Sequence, residues 1–170
     1  MATEQEQIST LEKTLKTKIR ELIELHHSLK APLGQVLMVE DELEQSYVLA
    51  IDLLAHGKDL AAAQLLGTMC IMQPYDGRYW RILGLALHKI KRANLALAAF
   101  EMALVIIPDD IPTLTYRGET HILLGRIVEA RNDLQKVLDL GQKPSKDDLP
   151  FVQRAKGLIR YARPQTTTAP

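Results

Sequence analysis

Five histidines (His26, His27, His56, His88, His121) and a single cysteine, Cys70, are the residues of this 170-residue chain best suited to metal or nucleophilic chemistry. Their spacing supports neither. No His-Glu-x-x-His run puts two imidazoles on one helical face, and one cysteine builds no zinc site. No glycine-rich loop is present to cradle a phosphate. Glu119 and His121 are two residues apart, so on a helix they point to different faces and make no acid–base pair. Cys70 falls where a small buried residue is expected and reads as a packed thiol, with no second cysteine for an internal disulfide. His26 and His27 read as ordinary surface or helix-end residues. The sequence points to no catalysis, no metal and no cofactor.

What remains is recognition, and the elements that would position it are legible. Trp80, Leu83, Gly84, Ala96, Phe100, Ala103 and Pro108 have the offsets of the tetratricopeptide repeat, and Pro74 and Pro108 are separated by its 34-residue period. Trp80, Leu83, Gly84 and Leu87 recur at helical spacing on one helix; Ala96, Leu97, Phe100, Ala103 and Leu104 do so on a second. Gly84 and Ala96 are small where helix backbones approach, Trp80 and Phe100 fill the space between hairpins, and Pro108 ends the second helix. One period earlier, Leu49, Ala50, Ala62, Leu66 and Pro74 take the same places; one later, Gly118, Ala130 and Leu134 do, with Arg117 where leucine is expected. Three repeats therefore run in phase over 43–76, 77–110 and 111–144.

The expected fold is all-α: a superhelical array of three tetratricopeptide helix hairpins, in one domain with a continuous core, with an N-terminal helix and a C-terminal capping helix. Residues 1–42 form the N-terminal segment, in which Ile8, Leu11, Leu15, Leu22, Leu25 and Leu29 follow the 3,4 spacing of a coiled-coil seam. Self-association through this seam is expected ahead of packing on the same chain, although Ile19 and Ile23 widen the stripe enough for either. Pro32 and Gly34 break the chain before the array. Asp41, Asp59, Asp76 and Asp110 stand where they can cap repeat helices, and Asp147 or Asp148 can cap the last. Gly57 and Gly125 hold equivalent turn positions, where Lys91 stands in the second repeat. The capping helix lies within 145–163, with Pro150 in its first turn; the tail 164–170 is expected to be disordered.

Charge excludes one partner class. Lysines plus arginines equal the acids at 21 each, and no basic stretch is interleaved with aromatics, so nucleic acid is not an expected partner. The five bases against two acids in residues 145–170 read as a solvated helix face. The start, MATEQEQIS, is polar and acidic and no run approaches a membrane span, so the expectation is a cytosolic protein with no direct membrane insertion.

In this repeat the inner-facing positions are the second, fifth, ninth and twelfth. They are Glu44, Tyr47, Ile51 and Leu54 in the first repeat, Arg78, Arg81, Leu85 and His88 in the second, and Pro112, Thr115, Glu119 and Ile122 in the third. Tyr47, Ile51, Leu54 and Leu85 together would make an apolar patch that needs a partner. Adaptors that grip the terminal carboxylate of heat-shock chaperones carry Lys, Asn and Arg at these positions, and here Tyr47, Ile51 and Leu85 take those places. The groove suits an extended apolar segment, with Arg78 and Arg81 as orienting donors.

From Leu43 to Leu140 the chain resembles the class II chaperones of bacterial type III secretion, which hold translocator proteins before export. The likeness is carried by Leu43-Glu44-Gln45, Tyr47, Leu49-Ala50, Gly57-Lys58, Cys70, Tyr75-Asp76, Arg78 and Leu83-Gly84. Leu-Glu-Gln, Gly-Lys and Tyr-Asp-x-Arg are not part of the general repeat. The resemblance implies a client-free homodimer whose groove binds the chaperone-binding segment of a translocator, a motif of spaced prolines and a leucine. Tyr47 matches one of the family's pocket aromatics, whereas Ile51 and Leu54 stand where other members carry aromatics, implying a wider pocket. Lys30-Ala31-Pro32-Leu33-Gly34 departs from the family's glycine-rich turn. Two other readings stay open: a structural scaffold or needle-subunit co-chaperone with a permanent partner, and a regulatory domain for an enzyme.

Overall fold

The computed structural model describes residues 40–162 and five isolated helical positions before them, Gln5, Glu6, Lys13, Thr17 and Arg20. The expected seam of Ile8, Leu11, Leu15, Leu22, Leu25 and Leu29, the break at Pro32 and Gly34, His26, His27 and the tail 164–170 lie outside the described residues. From residue 40 onward the described chain is helical, with no strand: α1 (Glu40–Ala55), α2 (Asp59–Met72), α3 (Gly77–Lys89), α4 (Ala93–Ile106), α5 (Ile111–Leu123), α6 (Ile127–Leu140) and α7 (Leu149–Tyr161). Where one domain was expected, the chain divides into two compact units, residues 1–106 and 107–170. A chain of hairpins buries apolar surface between sequence neighbours, so no single centre gathers it.

In the first unit α1 pairs with α2 and α4 with α3, and α3 also packs on α2. Steric matching decides the hairpins. Ala50, Ala62 and Leu66 are fully buried in the first; Ala96 and Phe100 are fully buried in the second, where the Phe100 ring lies against Gly84. A Cβ placed on Gly84 would come within 2.5 Å of Phe100 Cδ1 and 2.9 Å of its Cζ, so the ring occupies the space that a side chain would need. Trp80 is buried and its Nε1 donates to the carbonyl of Pro74 at 2.8 Å, which satisfies the one polar atom of the indole. Burying such side chains contributes about 1.5–3 kcal/mol each. Leu49, in register with the fully buried Leu83, is 51% exposed.

The turns follow one geometry. Gly57 has φ +71° and Gly125 φ +70°, and Lys91 at the equivalent place is forced to φ +62°. The capping aspartates divide. Asp76 accepts from the Arg78 amide at 2.9 Å, and Asp110, in the second unit, accepts from Thr113 N at 3.0 Å and from Thr113 Oγ1. Asp59 does not cap α2: the cap position is Lys58, and the Asp59 carboxylate accepts from Lys89 Nζ at 2.8 Å. Lys89 also donates to the Leu54 carbonyl at 3.1 Å, so it ties the end of α1 to the start of α2. Asp41 lies inside α1 rather than before it.

In the second unit α6 and α7 both pack on α5, and α6 also packs on α7. Ala130 and Leu134 are fully buried beside Gly118. α7 is seated by Val152, Ala155 and Ala162, which are buried, and by an edge-on contact of Phe151 with Tyr116, centroids 5.6 Å apart. Gly141 lets it approach: a Cβ there would lie 2.8 Å from the Val137 carbonyl and collide with Val152. Asp148 holds the cap position of α7 but makes no capping bond, because its carboxylate accepts from Ser145 Oγ at 2.6 Å. Arg117, where leucine is expected, forms a bidentate pair with the buried Asp133 of α6 at 2.8 and 2.5 Å.

Candidate peptide-binding face

The inner positions of the first unit come from α1 and α3, which contact each other directly. At their junction a cluster forms around Arg78. Its Nε and Nη2 donate to the Asp76 carboxylate at 2.8–3.2 Å, and its Nη1 is 3.3 Å from Glu44 Oε2. The guanidinium carbon lies 5.2 Å from the Tyr47 ring centre and 5.6 Å from that of Tyr79, and the two rings are 5.6 Å apart, tilted by 40°. Asp76 therefore does two tasks: it caps α3 and fixes the cation that stacks on both rings. The hydrogen bond to Asp76 holds the guanidinium even more firmly protonated than usual, and burial pushes the Tyr79 phenol up. Arg78, expected as a donor for a client, spends its three nitrogens on carboxylates of its own unit.

What this anchoring presents is the half-buried Tyr47 ring, beside Ile51, which is 40% exposed. Leu54, placed on the same face by its spacing, is only 7% exposed and belongs to the core. Arg81, Leu85 and His88 of α3 are half-buried. Among these positions Tyr47 and Ile51 of α1 and Leu85 of α3 are the apolar side chains left partly or largely exposed, and Arg78 stacks on the first of them.

The third repeat uses its inner positions differently. Pro112 and Ile122 are half-buried, Thr115 is fully buried with its hydroxyl donating to the Ile111 carbonyl at 2.9 Å, and Glu119 is 8% exposed. The Glu119 carboxylate is held by Arg154 of α7, whose Nη2 donates to Oε2 at 2.8 Å and whose Nε donates to Oε1. Burial pushes the Glu119 carboxyl up and Arg154 opposes it. His121 sits near Asp133, Nε2 to Oδ2 3.9 Å, and its buried Nδ1 has no hydrogen-bond partner. Burial holds this imidazole below its ordinary range. Glu119 and His121 are thus engaged separately, Glu119 with α7 and His121 against α6.

Sequence reasoning missed Tyr79 and Arg154. The string Tyr75-Asp76-Gly77-Arg78-Tyr79 held the signal for the first, since a capping aspartate two residues before an arginine can hold it; nothing in the spacing pointed to the second. Cys70 is buried and its thiol is pushed well up by desolvation. Among the described residues no group of three or more His, Cys, Asp or Glu side chains could hold a metal ion. No helix of the described residues is long and apolar enough to cross a membrane.

No family model matches the sequence. No curated protein matches it either. Solved structures do. The type III secretion translocator chaperone SycD of Yersinia enterocolitica matches with a TM-score of 0.70 and 21% identity over 78% of this chain and 96% of its own. PcrH, whose structure is also known as the Pseudomonas aeruginosa protein, matches in its complex with the chaperone binding region of PopD; the TM-score is 0.69 and the identity 22%, over 74% and 93%. The first tetratricopeptide domain of Spaghetti, bound to an HSP90 peptide, gives 0.66 and 16% over 75% and 95%. The chain has the fold of these chaperones. That fold is the tetratricopeptide hairpin array read from the residue offsets, and it accounts for the pairing of α1 with α2, α3 with α4 and α5 with α6.

Proposed function

We propose that this protein is a type III secretion chaperone of the bacterial cytoplasm. It binds an extended apolar segment of a translocator on the inner face of its repeats, keeps it soluble and competent for export, and catalyses no reaction. Client-free, it is a homodimer through the segment Ile8 to Leu29. One observation carries the reading: Tyr47, stacked under the Arg78 guanidinium, stands one helical turn from the exposed Ile51, so α1 offers an aromatic and an aliphatic side chain to an apolar segment. Support comes from SycD and PcrH, which were solved with a peptide of the translocator YopD and with the chaperone binding region of PopD. The HSP90-peptide mode of Spaghetti fits less well, because Tyr47, Ile51 and Leu85 supply no charge for a terminal carboxylate.

The energetics suit a carrier that must let go. Three apolar client side chains would contribute about 1.5–3 kcal/mol each, against about 2–5 kcal/mol to order a disordered segment. A short peptide should bind weakly and the whole client more firmly. The test is co-expression with translocators: the parent should solubilise one, and the double variant Tyr47→Glu, Leu85→Glu should lose it while keeping its helical content and melting temperature. A double variant that still captures the translocator moves the binding site off this face.

A further inference from the structure

The exposed side of α7 is built around a glycine that the fold does not need. Gly157 lies inside the helix, not at a turn, and a Cβ built on it meets nothing within 4 Å. Gly84 and Gly141 differ, since each has a neighbour in the space a side chain would take. Glycine weakens a helix interior, and among the described residues no packing repays it at position 157. Its remaining physical use is to let another backbone come close.

The positions one turn away on a helix are three and four residues distant, which here are Gln153, Arg154, Arg160 and Tyr161. All four are exposed, Tyr161 by 79%. Two guanidiniums, an amide and a phenol therefore ring an open notch. Arg154 is already oriented, because the buried Glu119 carboxylate grips it. α7 contains no acidic residue, and among the described residues neither Arg160 nor Lys156 has a carboxylate partner. The notch is thus cationic, polar-rimmed and floored by backbone.

We propose that this notch is a second docking site for the client, taking an extended acidic segment. The segment's backbone crosses Gly157, its carboxylates meet Arg160 and Lys156, and an apolar side chain packs on Tyr161. Charge complementarity selects this occupant. A nucleic acid would ask for a longer row of cations with several stacking rings, and a bilayer for bulky apolar residues where this face has glycine. The inference rests on the chaperone reading for the identity of the client, and its peptide chemistry is tested separately.

The experiment uses the full chain and a fluorescent peptide of alternating glutamate and leucine, read by anisotropy. Gly157→Leu fills the notch while favouring the helix, so its melting temperature should equal or exceed the parent's; Arg160→Glu reverses the charge. Each should weaken the peptide by about tenfold or more, added salt should weaken it in the parent, and a lysine–leucine peptide should not bind. The Tyr47→Glu, Leu85→Glu variant should bind the acidic peptide as the parent does. Unchanged binding in Gly157→Leu overturns the proposal, as does loss of the peptide in the Tyr47→Glu, Leu85→Glu variant. Arg160-dependent capture of single-stranded DNA or phosphatidylglycerol vesicles in place of the peptide also overturns it. If the acidic peptide binds at the notch and no translocator is captured, the notch stands and the chaperone reading falls; the reverse pattern removes the notch alone.

Discussion

Replacing the Gly84–Phe100 contact by the Ala50–Leu66 pair of the first hairpin tests the steric logic of the whole array. Two hairpins carry versions of one contact, Gly84 with Phe100 and Gly118 with Leu134, and in the first hairpin the fully buried Ala50 and Leu66 hold the equivalent positions. Gly84→Ala alone puts a Cβ inside 3.0 Å of three ring carbons of a fully buried phenylalanine. Such overpacking costs about 1–3 kcal/mol, and the better helix propensity of alanine returns about 1 kcal/mol, for a net loss of roughly 0–2 kcal/mol. Phe100→Leu alone removes ring carbons and leaves a void, costing about 1–3 kcal/mol. In the double variant the new methyl group enters the space the ring gave up, so each change relieves the other. The coupling should be favourable by about 1–2 kcal/mol. Urea unfolding of the four proteins, followed by circular dichroism, measures it. Losses that add to within about 0.5 kcal/mol would show that the helices adjust their separation freely, and the register argument would fail with them.

Three further outcomes follow from single positions. Lys91→Gly should raise the melting temperature, by about 1 kcal/mol of stability, because Lys91 is a non-glycine residue at φ +62° where the other hairpins use glycine; an unchanged or lower value would show that its side chain offsets the strain. His121→Leu, which restores the residue type of Leu87, should remove a pH dependence. Burial lowers the folded pKa of His121, so its stability contribution is full above about pH 6.5 and is lost as the pH falls through the folded value. Glu119, raised by burial, has the opposite slope, and comparing variant with parent cancels it; urea midpoints that differ between the two proteins by the same amount at every pH would refute the assignment. Deleting residues 1–30 should give a folded monomer, and sedimentation showing the intact protein already monomeric at tens of micromolar, on the order of a weak interface, would place the Ile8–Leu29 stripe on its own chain.

Residue types at fixed offsets were enough to define the hairpins. Small against large at Gly84 and Phe100, the proline that ends a helix and the turn position shared by Gly57, Lys91 and Gly125 are local steric facts, and they read directly from the period. The same spacing reads Tyr47, Ile51 and Leu85 as inner-facing positions and sets Glu119 and His121 on different faces of one helix. Only the tertiary structure decided where the charges go. Arg78 turns to Asp76 and Glu44, Asp59 turns from its own helix to Lys89, and Glu119 is closed off by Arg154 from 35 residues away. Arg117, which looked like a degraded leucine, pairs with Asp133 beside His121. A long charged side chain can reach any of several partners that its sequence spacing leaves equivalent, and which one it takes depends on which carboxylate the packing of another helix brings within about 3 Å.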